Sequence, residues 1–177
     1  TNGVWYRLNS SNGTFVAQAF GSTGDEPVAR DFDGDGKTDL AVVRRSNGAM
    51  IWYVRRSTDG GFQASQFGLS TDYTAPGDYD GDGKTDLAVV REGATPTANL
   101  IWYVLRSSNG SFIATSFGLT GSDLSAQNDY DGDGKCEIAG GAEWNPGDTV
   151  NSGAVFYLVA PEDRTQKWEA VKFPSVE

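Results

Sequence analysis

The stretch Asp31-Phe-Asp-Gly-Asp-Gly-Lys-Thr-Asp39 returns as Asp78-Tyr-Asp-Gly-Asp-Gly-Lys-Thr-Asp86 and again as Asp129-Tyr-Asp-Gly-Asp-Gly-Lys-Cys-Glu137. Four carboxylates within nine residues repel one another, and a chain that repeats the arrangement three times implies a positive charge among them. Acids at positions 1, 3 and 5 of a tight loop can converge on one point, and a fourth at position 9 closes the site. That oxygen-only donor set suits a hard cation: Ca²⁺, with its six to eight oxygen ligands and tolerant geometry, rather than Mg²⁺. The candidate ligands are Asp31, Asp33, Asp35 and Asp39; Asp78, Asp80, Asp82 and Asp86; and Asp129, Asp131, Asp133 and Glu137. The backbone carbonyls of Lys37, Lys84 and Lys135 are the expected further ligands, with the lysine side chains directed to solvent. Paired glycines in each loop permit the sharp turns. The third loop, with Glu137 and Cys136 in place of Asp and Thr, is expected to be the weakest or most altered of the three sites.

The opening of each loop also fits an EF-hand, which requires Glu at position 12 and flanking helices. Position 12 is Val42, Val89 or Gly140, and the loops run into Leu40-Ala-Val-Val43 and Leu87-Ala-Val-Val90. Those β-branched runs read as strands, which argues against an EF-hand.

Two further landmarks recur with the loop. Trp5-Tyr6, Trp52-Tyr53, Trp102-Tyr103 and Phe156-Tyr157 are spaced by 47, 50 and 54 residues. Phe20-Gly21, Phe67-Gly68 and Phe117-Gly118 follow them, with Phe173-Pro174 as a terminal variant. Periods of about 40–50 residues rich in short strands point to propeller blades of four antiparallel strands. The first strand of each unit is expected at 27–31, 73–78 and 124–129, and the second at 40–44, 87–91 and 137–141. The third, bearing the aromatic pair, is expected at 4–8, 50–55, 100–105 and 154–159. The fourth, ending in Phe, is expected at 14–20, 61–67, 111–117 and 168–173. Asn12-Gly13, Asp59-Gly60 and Asn109-Gly110 supply the hairpin turns between the last two strands. Adjacent Trp and Tyr on a strand point to opposite faces, as suits a sheet packed on both sides.

This combination of Asp-x-Asp-Gly-Asp-Gly-x-x-Asp loops, Leu-Ala-Val-Val strands, Trp-Tyr strands and Phe-Gly endings resembles the FG-GAP/VCBS repeats of integrin-α-type β-propellers. The resemblance implies an all-β fold, with the loop acids as Ca²⁺ ligands that lock the hairpin between strands one and two. It also implies a secreted or cell-surface protein that recognises proteins or glycans. The chain divides as a half-blade at 1–24 and blades at 25–70, 71–120 and 121–177, about three and a half blades of a partial propeller. The half-blade leaves an open strand edge, a pairing hazard. Further blades of a larger chain, or self-association, are the expected remedy.

Composition narrows the functional classes. The formal net charge is −10, with 24 acids against 14 bases. Half of those acids lie in the three loops, and three divalent ions would reduce the charge to about −4, ordinary for a soluble surface. Nothing basic suggests nucleic acid, and no apolar run reaches the roughly 20 residues of a membrane span. One cysteine forbids an internal disulfide, and the absence of histidine removes the commonest general base. The acids outside the loops, Asp25, Glu26, Asp72, Glu92, Asp123, Glu143 and Asp148, show no pairing in the sequence that would serve hydrolysis. The expected function is a non-catalytic, calcium-binding module for extracellular recognition or adhesion. The alternative is a lectin-like glycan-binding module, or an accessory domain of a secreted carbohydrate-active enzyme. The connection between strands two and three lengthens from Ser46-Asn-Gly48 to 92–98 and then to 142–152. Trp144, in the longest, is the candidate ligand-binding residue, because binding residues collect on long loops of rigid scaffolds.

Overall fold

The computed structural model describes residues 2–142, 156–158 and 170–172. Every regular element among them is a β-strand. The chain separates into two compact units, Thr1–Ser70 and Thr71–Glu177.

In the first unit, strands β1 (Asn2–Leu8) and β2 (Phe15–Ser22) form a two-stranded antiparallel sheet. Strands β3 (Glu26–Pro27), β4 (Leu40–Ser46), β5 (Ala49–Arg55) and β6 (Phe62–Leu69) form a four-stranded antiparallel meander in chain order. In the second unit the same meander is built from β7 (Tyr73–Thr74), β8 (Leu87–Arg91), β9 (Asn99–Leu105) and β10 (Phe112–Leu119). A hairpin of β11 (Asp123–Ser125) and β12 (Gly140–Ala142) follows, then one of β13 (Phe156–Leu158) and β14 (Ala170–Lys172). These are sheets of the blade type that the repeats imply.

Strand two is apolar without alternation, and Ala41, Val42 and Val43 are all buried, as are Ala88, Val89 and Val90. A strand buried at consecutive residues is covered on both faces. Strand three alternates instead: Met50, Trp52 and Val54 are buried, with Leu100, Trp102 and Val104 as their counterparts. The intervening Tyr53 and Tyr103 lie on the other face, stacked on Phe62 and Phe112 with ring centroids 5.9 and 5.7 Å apart. Trp and Tyr therefore do serve opposite faces.

The first strand of each unit is shorter than expected. Only two or three residues pair continuously, after which the chain rejoins strand two through the isolated bridges Arg30↔Asp39, Gly77↔Asp86 and Asn128↔Glu137. The bridge sits at the mouth of the acid loop and cinches it.

The Phe-Gly landmark has a structural cause. Pairing between strands three and four slips at Asn2/Val4, Ala49/Ile51 and Ser116/Leu119. Opposite each slip stands a glycine with positive φ: Gly21 at 88°, Gly68 at 94° and Gly118 at 88°. This β-bulge frees the preceding phenylalanine carbonyl from the ladder, and the tryptophan indole takes it. Trp5 Nε1 donates to Phe20 O at 3.1 Å, Trp52 to Phe67 O at 2.8 Å and Trp102 to Phe117 O at 3.0 Å. Tryptophan is required there because it is a large apolar side chain with a donor at its far edge. A Cβ at Gly118 would also come within 3.2 Å of Asp123 and Leu100 side-chain atoms.

Trp102→Phe removes that donor and orphans a carbonyl, and is expected to cost about 2–4 kcal/mol. Gly118→Ala, strained in φ and crowded, is expected to cost about 1–2 kcal/mol. Urea unfolding of the two variants checks both values. A Trp102→Phe loss below about 0.5 kcal/mol refutes the assigned role of the indole bond.

Candidate metal centres

Each acid loop hangs between strands one and two. The first acid nucleates the turn. Asp31 accepts from Gly34 N at 2.7 Å and Gly36 N at 2.8 Å, and Asp78 does the same with Gly81 and Gly83 at 2.7 and 2.8 Å. Asp129 repeats it with Gly132 and Gly134 at 2.7 and 3.1 Å. The ninth residue lies at the root. Asp39 and Asp86 are fully buried, and each accepts one backbone N–H from inside the loop: Phe32 N and Tyr79 N, both at 2.8 Å. Glu137 accepts from Tyr130 N at 2.7 Å, so its longer arm still reaches.

Asp31, Asp33 and Asp39 place carboxylate oxygens within 4.8 Å of one another, as do Asp78, Asp80 and Asp86. In the third loop Asp129, Asp131, Asp133 and Glu137 all converge within that distance. These clusters can hold a metal ion. Asp35 and Asp82 stand outside their clusters, turned toward a partner that sequence reasoning missed, the turn between strands three and four. Ser57 Oγ donates to Asp35 at 2.7 Å, and Ser107 Oγ donates to Asp82 at 2.9 Å. Ser57 N and Ser107 N each donate to the buried root acid, Asp39 or Asp86, at 2.7 Å. Thr58 Oγ1 reaches Asp33, and Ser108 Oγ reaches Asp80. The hydroxyl pair thus clasps its own sheet's acid loop. Its signal lay in the sequence, as a Ser/Thr pair immediately before each Asn/Asp-Gly turn.

The lysine amides at position 7 donate to Asp35, Asp82 and Asp133 at 2.8 Å in each case. The Lys37 side chain is 75% exposed, with Nζ 3.5 Å from Asp35. Cys136 is half-buried, with Sγ against Gly77 of the preceding sheet. Burial first, and then Asp78, Glu137 and Asp129, push its thiol pKa up. Trp144 lies outside the described residues.

The electrostatics of the clusters fit a cation. Burial, and then the neighbouring acids, push Asp39 above the usual carboxylate range, and Asp86 likewise. Glu137 is raised by burial and by Asp131, Asp129 and Asp133. Asp80 Oδ1 is buried without a hydrogen-bond partner, although nearly all buried polar atoms have one. An unpartnered oxygen on a member of a carboxylate triad is suited to a metal. The N–H bonds do not compete, because each carboxylate oxygen has two lone pairs. The residues present therefore fit a divalent cation, held by Asp31, Asp33 and Asp39, by Asp78, Asp80 and Asp86, and by Asp129, Asp131, Asp133 and Glu137. A bound ion would neutralise the repulsion and cross-link the loop.

Asp25, Asp72 and Asp123, which looked unrelated in the sequence, occupy one position in the three repeats, six residues before each loop. Asp25 is held by Arg44 Nε at 2.7 Å and Nη2 at 2.9 Å, and Asp72 by Arg91 Nε and Nη2, both at 2.8 Å. Arg44 lies 4.8 Å above the Tyr53 ring and Arg91 4.5 Å above Tyr103. In the third repeat the corresponding position is Ala142, and Asp123 accepts instead from Leu119 N at 2.9 Å.

Tandem four-stranded sheets, each with an acid loop between its first two strands, define a β-propeller-type repeat module. Residues 31–89, from the first acid loop into the strand that follows the second, match the FG-GAP-like repeat family. That match agrees with the resemblance drawn from the chain's loops and landmarks. Neither the curated proteins nor the solved structures yield a match.

The Arg44 guanidinium holds Asp25 below the usual carboxylate range, and the Asp25 side chain is 3% exposed. Its folded pKa lies below the unfolded value of about 3.9. Its stabilisation is therefore complete above that value and is lost as pH falls through the folded pKa. Asp25→Asn is expected to cost about 1–3 kcal/mol at neutral pH. The gap to the parent protein should narrow as pH falls below the unfolded value and through the folded pKa, as read from urea midpoints. A gap that persists undiminished in acid refutes the ionic role of Asp25.

Proposed function

We propose that the protein is a non-catalytic, Ca²⁺-stabilised recognition module that works in an extracellular setting. The observation that carries this reading is the unpartnered, buried Oδ1 of Asp80, a member of the triad whose root acid, Asp86, is itself fully buried. Charges buried together without compensation are costly, and the clasping hydroxyls are neutral. Ca²⁺ is favoured among divalent ions by the all-oxygen donors and by the backbone turns, which leave the carboxylates adjustable. A fold that depends on such loops suits compartments rich in calcium.

The non-catalytic assignment is supported by where the acids are placed. The loop acids are tied to turns, clasps and the expected ion, Asp25 and Asp72 are tied to arginines, and the chain has no histidine. Recognition of an extracellular protein is assigned to the sheet ends opposite the acid loops, where the repeats diverge. In the first repeat that end is a two-residue turn with Asn47 at φ 51° and Gly48 at φ 80°. In the second it is the 92–98 loop, fastened by Gly93 N to Thr120 Oγ1 and by Gly121 N to Pro96 O, both at 2.8 Å. A fastened loop presents its side chains at low entropic cost.

Calcium is expected to raise the melting temperature by at least about 5 °C at a concentration one hundred times its dissociation constant, since each such site adds about 2.7 kcal/mol. Calorimetry with and without a chelator measures this. Asp80→Asn and Asp86→Asn should each abolish one equivalent of binding by isothermal titration. A melting temperature indifferent to both calcium and chelator refutes the structural-ion reading.

A further inference from the structure

The aspartate that opens each repeat keeps an arginine in the first two and loses it in the third. Arg44 grips Asp25 and Arg91 grips Asp72 through Nε and Nη2, and each guanidinium also lies over a tyrosine ring. Asp123 stands at the same place, but its cross-strand partner is Ala142, which has no guanidinium to offer. The chain nearby holds no substitute: from Cys136 to Asp163 the sequence contains neither lysine nor arginine.

Asp123 is nevertheless posed as its counterpart is. Asp25 Oδ2 accepts Ser22 N at 2.7 Å and Arg44 Nη2 at 2.9 Å on one oxygen. Asp123 Oδ2 accepts Leu119 N, the equivalent amide, at 2.9 Å, and that bond leaves a lone pair for a further donor. Where Asp25 Oδ1 takes Arg44 Nε, Asp123 Oδ1 takes the neutral Ser122 hydroxyl at 2.8 Å. The Asp123 side chain lines a cavity of about 400 Å³ between the second four-stranded sheet and β11, within the size range of ligand pockets, roughly 300–1,000 Å³. Tyr73, Val90 and Leu100 line it from the sheet, Glu92 from the turn that leaves β8, and Ser125 from β11. The Glu92 carboxylate accepts from the Tyr73 hydroxyl at 3.1 Å, again a neutral donor. No lysine or arginine is among the residues that line the cavity, so its carboxylates have no counter-charge there.

We propose that this cavity binds a guanidinium group, that of an arginine side chain on a protein partner, with Asp123 as its principal contact and Glu92 as the second carboxylate. The first two repeats show what an aspartate at this position takes: a planar fork that gives it two parallel, charge-assisted bonds. The Tyr73 ring, 52% exposed, offers an aromatic surface of the kind that Arg44 and Arg91 use, and Val90 and Leu100 suit the aliphatic stem. The inference rests on the assignment of recognition to the sheet ends opposite the acid loops, the end at which Glu92 and Asp123 lie. It makes no use of the ion, so calcium-dependent melting and occupation of the cavity fail or hold separately.

The probe is Nα-acetylarginine methylamide, added to the full protein in calcium buffer at low salt and followed by amide chemical shifts. The amides of Leu119, Asp123 and Ser125 are expected to move with a dissociation constant on the order of 1 mM or tighter, while those of the acid loops stay in place. The citrulline analogue, neutral and of nearly the same shape, should bind at least about tenfold more weakly, because it lacks the charge-assisted bonds. Asp123→Asn keeps an acceptor for Leu119 N and should also cost at least about tenfold in affinity. Ala142→Arg supplies the guanidinium from within, as Arg44 and Arg91 do, and should abolish binding. Three results overturn the proposal: no shift at Asp123 with the arginine compound, equal binding by the citrulline analogue, or undiminished binding by either variant when its spectrum is that of the folded protein.

Discussion

The constraint on which the rest depends is the burial of a carboxylate at the root of each complete loop. Asp39 and Asp86 are wholly removed from solvent, yet they sit beside other acids of the same loop. Each is tolerable because fixed donors converge on it, one N–H from within the loop and one from the hairpin turn across the sheet. Those two donors, Phe32 and Ser57 on Asp39 and Tyr79 and Ser107 on Asp86, lie 25 and 28 residues apart in the chain, so satisfying one acid ties strands one and two to strands three and four. The acid loop is the clamp of the sheet, and a bound cation would complete a charge balance that neutral donors leave open.

A second set of polar bonds works inside the apolar layers. The bulge at Phe-Gly releases a carbonyl, the tryptophan indole takes it, and the tryptophan thereby gains one orientation in a core that could otherwise accept several. On the opposite face the tyrosine is held between phenylalanine and an arginine, which is itself held by an aspartate that opens the repeat. Each landmark residue is thus one end of a specific bond. That explains why the repeats hold Trp, Tyr, Phe and Gly at fixed spacing while the connections at the far end of the sheet vary in length.

Much of this was legible in the residues alone. The acid loops, strand two and the Trp-Tyr strand declare themselves through local patterns, because loop turns and strand faces depend on neighbours a few positions away. The Phe-Gly ending was visible as a landmark but not as a bulge, since a slip in pairing is a property of two strands. The hydroxyl clasp escaped because Ser57 and Thr58 have no local reason to be serine and threonine, and their partners lie more than twenty positions away. The aspartates before each loop were passed over as unrelated, although their spacing repeats, because their role exists only in company with Arg44 and Arg91.

By itself the sequence determined the all-β class, the four-strand repeat and the carboxylate chemistry of the loops, because spacing along a chain dictates which side chains a tight turn or a strand face can bring together. The tertiary structure decided which acids are buried, that Asp35 and Asp82 turn to the clasp while the third loop gathers all four carboxylates, and that Asp80 keeps an oxygen without a partner. Those outcomes depend on how far one hairpin closes over another, a distance that no spacing within either hairpin encodes.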